Sequence, residues 1–153
     1  MCSGDTSRVH TQGVYVVWLY LPQTIPISVG RLGTHQFPAG TYAYCGSAQR
    51  TLQSRLRRHA AKEKPLRWHI DYLSVHCDFL GHDSWVVSRA GECRLAGRLQ
   101  QLPQAHLPLQ GFGSSDCRCV SHLVFIDKQP LAAKERSELR TILSYDIGEL
   151  QNG

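Results

Sequence analysis

Eight consecutive residues, Val14-Tyr15-Val16-Val17-Trp18-Leu19-Tyr20-Leu21, leave this stretch of the chain without a polar face. Their β-branched and aromatic side chains favour extended backbone. Successive side chains of a strand point to opposite faces, so apolar residues on both parities predict a central strand covered on each side. The run is too short to cross a bilayer, and Pro22 ends it.

The remaining pattern is that of a mixed domain. Ile25 to Val29 reads as a second strand, pushed toward a sheet edge by Pro26. Gly30, Gly33, Pro38 and Gly40 mark turns around it. Thr41 to Cys45 reads as a third strand, completing a compact sheet. The period then changes. Leu52, Leu56 and Ala60 stand four apart, which predicts an amphipathic helix over Thr51 to Glu63, closed by Lys64-Pro65. A short helix over Arg67 to Val75, a strand at Trp85 to Val87 and a helix over Glu92 to Leu102 follow. Pro103 to Ser115 reads as a loop and His122 to Ile126 as a strand. A last helix, Leu131 to Leu143, presents Leu139, Ile142 and Leu143 to the core. The expected class is α+β: a small central three-stranded sheet, antiparallel or mixed, flanked by helices, with an extra C-terminal strand and helix. Residues 1–12 and 146–153 are expected to be tails of one domain, 13–145.

The 153 residues suit a single domain with its own core. Met1 to Gln12 lacks a basic-then-apolar leader. The expectation is therefore a cytoplasmic protein without a membrane partner, whose six cysteines (2, 45, 77, 93, 117 and 119) are thiols or ligands rather than disulfides. Lys plus Arg exceed Asp plus Glu by 17 to 12, which favours a polyanionic partner.

The excess charge is concentrated. Arg50, Arg55, Arg57, Arg58, Lys62, Lys64 and Arg67 stand with His59 and His69 against the single acid Glu63. Such a cluster attracts backbone phosphates through counterion release. At about 100° per residue, Arg55 and His59 lie one turn apart beside the Leu52/Leu56 stripe, with Arg58 and Lys62 next to them. That position is the edge where helix meets sheet. An arginine there can hold a phosphate by two hydrogen bonds, and a histidine can move a proton near neutral pH.

What precedes this helix gives the cluster its meaning. Gly13-Val14-Tyr15 opens the first strand, and Tyr44-Cys45-Gly46 closes the third, followed by Ser47-Ala48. Leu52-x-x-Arg55-x-x-x-His59 follows on the helix. In this order and spacing the set resembles the GIY-YIG nuclease superfamily. Val29 to Gly33, Phe37 to Gly40, Arg67 to Leu73 and Gly111 to Cys117 resemble its Uri-superfamily endonuclease branch, also labelled DUF123. The resemblance spans about residues 13–126, with Cys45 replacing the usual Ile or Val of the second triplet. It implies a metal-dependent endonuclease that hydrolyses DNA phosphodiester bonds, in the company of DNA-repair proteins. Tyr15 and Tyr44 would line the cleft, one of them activating or orienting water. Arg55 would neutralise the scissile phosphate, and His59 would act as base or phosphate partner. Gly46 would let the backbone approach substrate. Ser47, Arg58, Lys62, Arg67 and His69 would help to bind it. Glu92, opening a later helix, would hold one Mg²⁺ or Mn²⁺, ions that keep several waters and share phosphate oxygens.

Two clusters sit apart from that set. Cys117-x-Cys119-x-x-His122 offers soft ligands for zinc but no paired CxxC, and needs a fourth ligand from afar, Cys77 or Cys93. Packing of a loop against the strand by small buried thiols is the favoured reading. His69, Asp71 and Asp116 either extend the site or pin the neighbouring loop. The alternatives to a DNA nuclease are an RNA nuclease, a non-catalytic nucleic-acid-binding module and a small zinc-binding interaction domain.

Overall fold

The computed structural model describes residues 12–114, 117 and 119–152; Asp116 lies outside them. β1 (Gly13–Leu21) is central in a four-stranded antiparallel sheet of order β5-β1-β4-β6. Its partners are β4 (Gly40–Ala48) on one side and β5 (Asp78–Trp85) on the other, and β6 (Leu123–Asp127) extends the sheet beyond β4. The helices are α1 (Leu52–Ala60), α2 (His69–Ser74), α3 (Gly91–Gln101) and α4 (Ala133–Asn152).

The two parities of β1 feed two cores. Val14, Val16 and Trp18 pack with Leu95 and Leu99 of α3 and with Leu139, Leu143 and Ile147 of α4. Tyr15, Val17 and Leu19 pack with Leu52 and Leu56 of α1, Ile70 and Leu73 of α2, and Phe112. The sheet is thus covered on both faces, as the unbroken apolar run predicts.

The fold corrects several expectations. The central sheet has four strands rather than three. Ile25–Ser28 (β2) does not join it; it pairs with Thr34–Phe37 (β3) in a hairpin of its own, packed on the Tyr15 face. The strand expected at Trp85 to Val87 instead ends at Trp85. It begins at Asp78 because backbone pairing with β1, not apolar periodicity, defines this half-exposed edge. In α1, Ala60 is exposed and His59 buried, so the inner stripe is Leu52, Leu56 and His59. α1 stops at Ala60, and the Lys64 ammonium donates to the carbonyls of Arg58 and His59. α4 continues past the expected end. Its core stripe is Leu139, Leu143 and Ile147, one turn apart, while Ile142 is exposed. No helix among the described residues is long and apolar enough to cross a membrane.

Candidate functional site

At the end of the sheet where β4 gives way to α1, an open cleft of about 590 Å³ is lined from five elements. β1 supplies Tyr15, β4 supplies Tyr44, Gly46 and Ser47, α1 supplies Arg55 and His59, and α3 supplies Glu92. Arg67 and His69, near the start of α2, complete one wall. Nine residues singled out in the sequence therefore share one cavity, although they span 78 positions (Tyr15 to Glu92) of the chain.

The register explains the spacing of the tyrosine motifs. Tyr15 lies directly across from Gly46, and Val17 across from Tyr44. The Tyr15 ring covers Gly46 so closely that a Cβ there would stand 2.5 Å from the phenol oxygen and 2.7 Å from Cζ. Gly46 is thus required by the tyrosine ring, and it lines the cleft as well. Gly113 does the same for the other phenol. It has a positive φ of 70°, and a Cβ there would stand 2.8 Å from Tyr44 Cε1.

Tyr15 Oη lies 2.7 Å from His59 Nε2. The Tyr44 ring meets the same imidazole edge-on at 5.9 Å, and Trp68 stands 6.2 Å away on another side. Burial raises the pKa of both phenols above the ordinary value; for Tyr15 the Arg55 guanidinium partly opposes this. Burial, helped by the positive charges of Lys64, Arg55 and Arg58, lowers that of His59 to about 3. His59 is therefore neutral at pH 7, with Nε2 committed to Tyr15.

This has a consequence for stability. The unfolded chain takes up a proton on His59 near its ordinary pKa of 6.5, while the folded chain resists it down to about 3. The unfolded state thus binds more protons across that window, and stability falls as pH falls through it. Between about pH 7.5 and about pH 4.5 this one group should remove about 2–3 kcal/mol. Urea unfolding of wild type and His59→Gln at both pH values checks it: the variant should lose that much less on acidification. Equal losses would refute the assignment of a buried neutral imidazole.

Glu92 is the only carboxylate lining the cleft among the described residues, facing Arg50, Arg55, Arg67 and Arg89. Burial opposes its ionisation. Hydrogen bonds from His122 and Ser47 outweigh burial and hold its pKa below the ordinary value. Ser47 Oγ donates to Oε1 at 2.5 Å, and His122 Nδ1 lies 2.9 Å from Oε2. The Arg55 Nη1 group donates to the Ser47 carbonyl at 3.0 Å, and its guanidinium lies 4.6 Å from the centre of the Trp68 ring. Arginine, serine and glutamate thus form one connected wall.

Two expected binding residues are engaged elsewhere. Arg58 donates to buried Asp71 at 2.5 Å and to the Pro65 carbonyl, and also packs against Trp68. Lys62 reaches exposed Asp78, outside the cleft lining. Asp71 is structural: its Oδ2 also accepts from the backbone N–H groups of Arg67 and Trp68, which fastens the start of α2. The His69 Nδ1 atom accepts from the Gly113 N–H, pinning the loop that carries Gly113. Trp68 and Arg89 join the site without having been assigned a role from sequence, and Arg50, read there only as one of the basic cluster, lines it too. For Trp68 the available signal was its place between two motif positions, Arg67 and His69.

The arrangement defines an α+β domain in which two tyrosines, a histidine and a glutamate converge on a cleft lined by arginines. The family described as "Domain of unknown function DUF123" matches residues 14–144, and the chain belongs to it. Neither the curated proteins nor the solved structures gave a match.

Proposed function

We propose that this protein is a GIY-YIG-type endonuclease that hydrolyses phosphodiester bonds in DNA with the help of Mg²⁺ or Mn²⁺. The observation that carries the reading is the convergence of Tyr15, Tyr44, Arg55, His59 and Glu92 on one cleft that also holds Arg50, Arg67 and Arg89. A polyanion is the substrate class such a wall attracts.

The residues present fit a hydrated divalent ion. Glu92 is ionised; Oε1 accepts from Ser47 and Oε2 lies beside His122 Nδ1, so both oxygens keep acceptor positions for an ion. A lone carboxylate suits an ion that keeps several waters and takes its other oxygens from phosphate. Held there, the ion would stabilise negative charge on a non-bridging or leaving phosphate oxygen.

The protein's own groups divide the remaining work. Arg55 binds the scissile phosphate, in a position fixed by the Ser47 carbonyl and the Trp68 ring, and offsets the charge that builds in the transition state. A Tyr15 phenolate is not populated at neutral pH, so Tyr15 orients the attacking water rather than deprotonating it. Its oxygen, fixed by neutral His59 Nε2, holds the water beside the phosphate, and the water's proton leaves to solvent. The water oxygen bonds to phosphorus, the bond to the 3′ oxygen breaks, the leaving oxygen takes a proton from solvent water, and the ends are 5′-phosphate and 3′-hydroxyl. A place in DNA repair or processing accords with this chemistry and with the family resemblance.

The test is cleavage of labelled single-stranded, double-stranded, flapped and abasic DNA, and of RNA, with Mg²⁺, Mn²⁺ or EDTA. Wild type should cut in the presence of metal and not in EDTA. Glu92→Gln should lose at least about 10²-fold, the scale of one lost electrostatic group in an active site. Cleavage of RNA alone would redirect the substrate assignment. Binding without cleavage of any substrate would replace the enzyme by a binding module.

A further inference from the structure

Beside the cleft, and sharing Glu92, Arg89 and Gly113 with it, lies a second cavity of about 490 Å³. Cys93, in the first turn of α3, reaches its wall, as do Cys117 and His122. Cys93 is exposed, and Cys117 and Cys119 are half-buried, Cys119 packed against the core on the Val14 face. Cys77 is not part of this group; it is packed in the core on the Tyr15 face.

The donor atoms of Cys93, Cys117, Cys119 and His122 all lie within 4.8 Å of one another. Four thiolate and imidazole donors about 2.0–2.3 Å from a tetrahedral ion stand about 3.3–3.8 Å apart. The group is therefore nearly closed to that size, and too tight for a multi-iron cluster whose ligands sit on different metals. Three soft sulfurs and one imidazole are a donor set for zinc. The histidine is oriented for this role. Its Nε2 lies 3.4 Å from the Cys117 sulfur, inside the group, while its Nδ1 faces Glu92 Oε2 at 2.9 Å. A ligating histidine whose other nitrogen meets a carboxylate is a recurrent feature of zinc centres.

We propose that Cys93, Cys117, Cys119 and His122 bind one zinc ion in a closed, four-ligand structural centre. The ion ties Cys117, Cys119 and the residue entering β6 to the first turn of α3. That turn also carries Glu92. Through His122 the centre holds the Glu92 carboxylate in its place on the cleft wall. Only this consequence rests on the proposed nuclease reading; the zinc centre itself does not.

Metal analysis of the full chain, purified under reducing conditions and dialysed against a weak chelator, tests the proposal. Wild type should retain one equivalent of zinc, and Cys93→Ser and Cys119→Ser should bind it at least about 10²-fold more weakly, beyond the loss typical of a partner that only supports a ligand. Because either variant may unfold, the wild-type protein supplies a second readout. Cobalt(II) added to metal-free, reduced protein should give the absorption of a tetrahedral thiolate site, and zinc should abolish it. Wild type that retains no zinc and gives no such cobalt spectrum overturns the proposal, as does zinc retained undiminished by both variants. A protein that holds zinc and cuts no nucleic acid leaves the centre standing; a zinc-free protein that cuts leaves only the nuclease reading.

Discussion

Arg55→Ala should lower the single-turnover rate of DNA cleavage by about 10²–10³-fold while leaving the fold intact. The magnitude is that of removing one preorganised donor from a site where charge develops. The fold should survive because Arg55 makes its direct contacts at the cleft wall, with the Ser47 carbonyl and the Trp68 ring, and is not in the apolar core. The effect should fall on the chemical step more than on affinity, since Arg50, Arg67 and Arg89 continue to face the polyanion. Loss of one phosphate contact should flatten the salt dependence of double-stranded DNA binding by only about 0.9 in log–log slope. Arg55→Lys should recover only part of the rate. A lysine keeps the charge but loses the planar fork that stacks on Trp68 and can meet two phosphate oxygens. A rate within about threefold of wild type for Arg55→Ala would remove Arg55 from the mechanism.

The parts of this molecule that were legible in its sequence are those whose physics is local or strongly periodic. Val14 to Leu21 announced a strand covered on both faces because both of its parities are apolar, and two separate cores receive them. The tyrosine triplets were legible as motifs, and the cross-strand pair Tyr15 and Gly46 shows why such motifs place glycine where they do. Glu92 was legible only through the family resemblance, which asks for a glutamate opening a later helix. β5 was hidden because an edge strand carries polar residues on much of its length and is defined by pairing with β1, which no local pattern records. β3 was hidden among turn residues. His59 and Ala60 exchanged roles because a histidine that satisfies Nε2 on Tyr15 can lie on the buried stripe. The meeting of Cys93 with Cys117, Cys119 and His122 depends on how α3 docks beside β6, and spacing alone left Cys93 and Cys77 as equal candidates.

The same lesson applies to charge, where sequence shows position but not partner. Arg58 and Arg55 are three residues apart, both lie against Trp68, and both read as phosphate ligands. In the fold Arg58 is a structural cation. Its guanidinium is paired with Asp71, which has no exposed side-chain surface, and Asp71 in turn accepts from the N–H groups of Arg67 and Trp68. Asp71→Ala should therefore cost about 3–5 kcal/mol, because it strands a half-buried cation and leaves backbone donors at the start of α2 without a partner. Asp71→Asn should cost less, since the amide oxygen can still accept from the backbone while the charge pairing is lost. Arg58→Ala should also destabilise, and the double variant Arg58→Ala/Asp71→Ala should lose less than the sum of the two single losses, by about 0.5–3 kcal/mol. Urea unfolding of the four proteins near neutral pH measures this cycle. A phosphate ligand would behave in the opposite way: Arg58→Ala would weaken DNA binding with little change in unfolding free energy, and the cycle would be additive. Loss of Arg55 read in rate and loss of Arg58 read in stability would separate the arginine proposed to act on substrate from the one that builds the wall behind it.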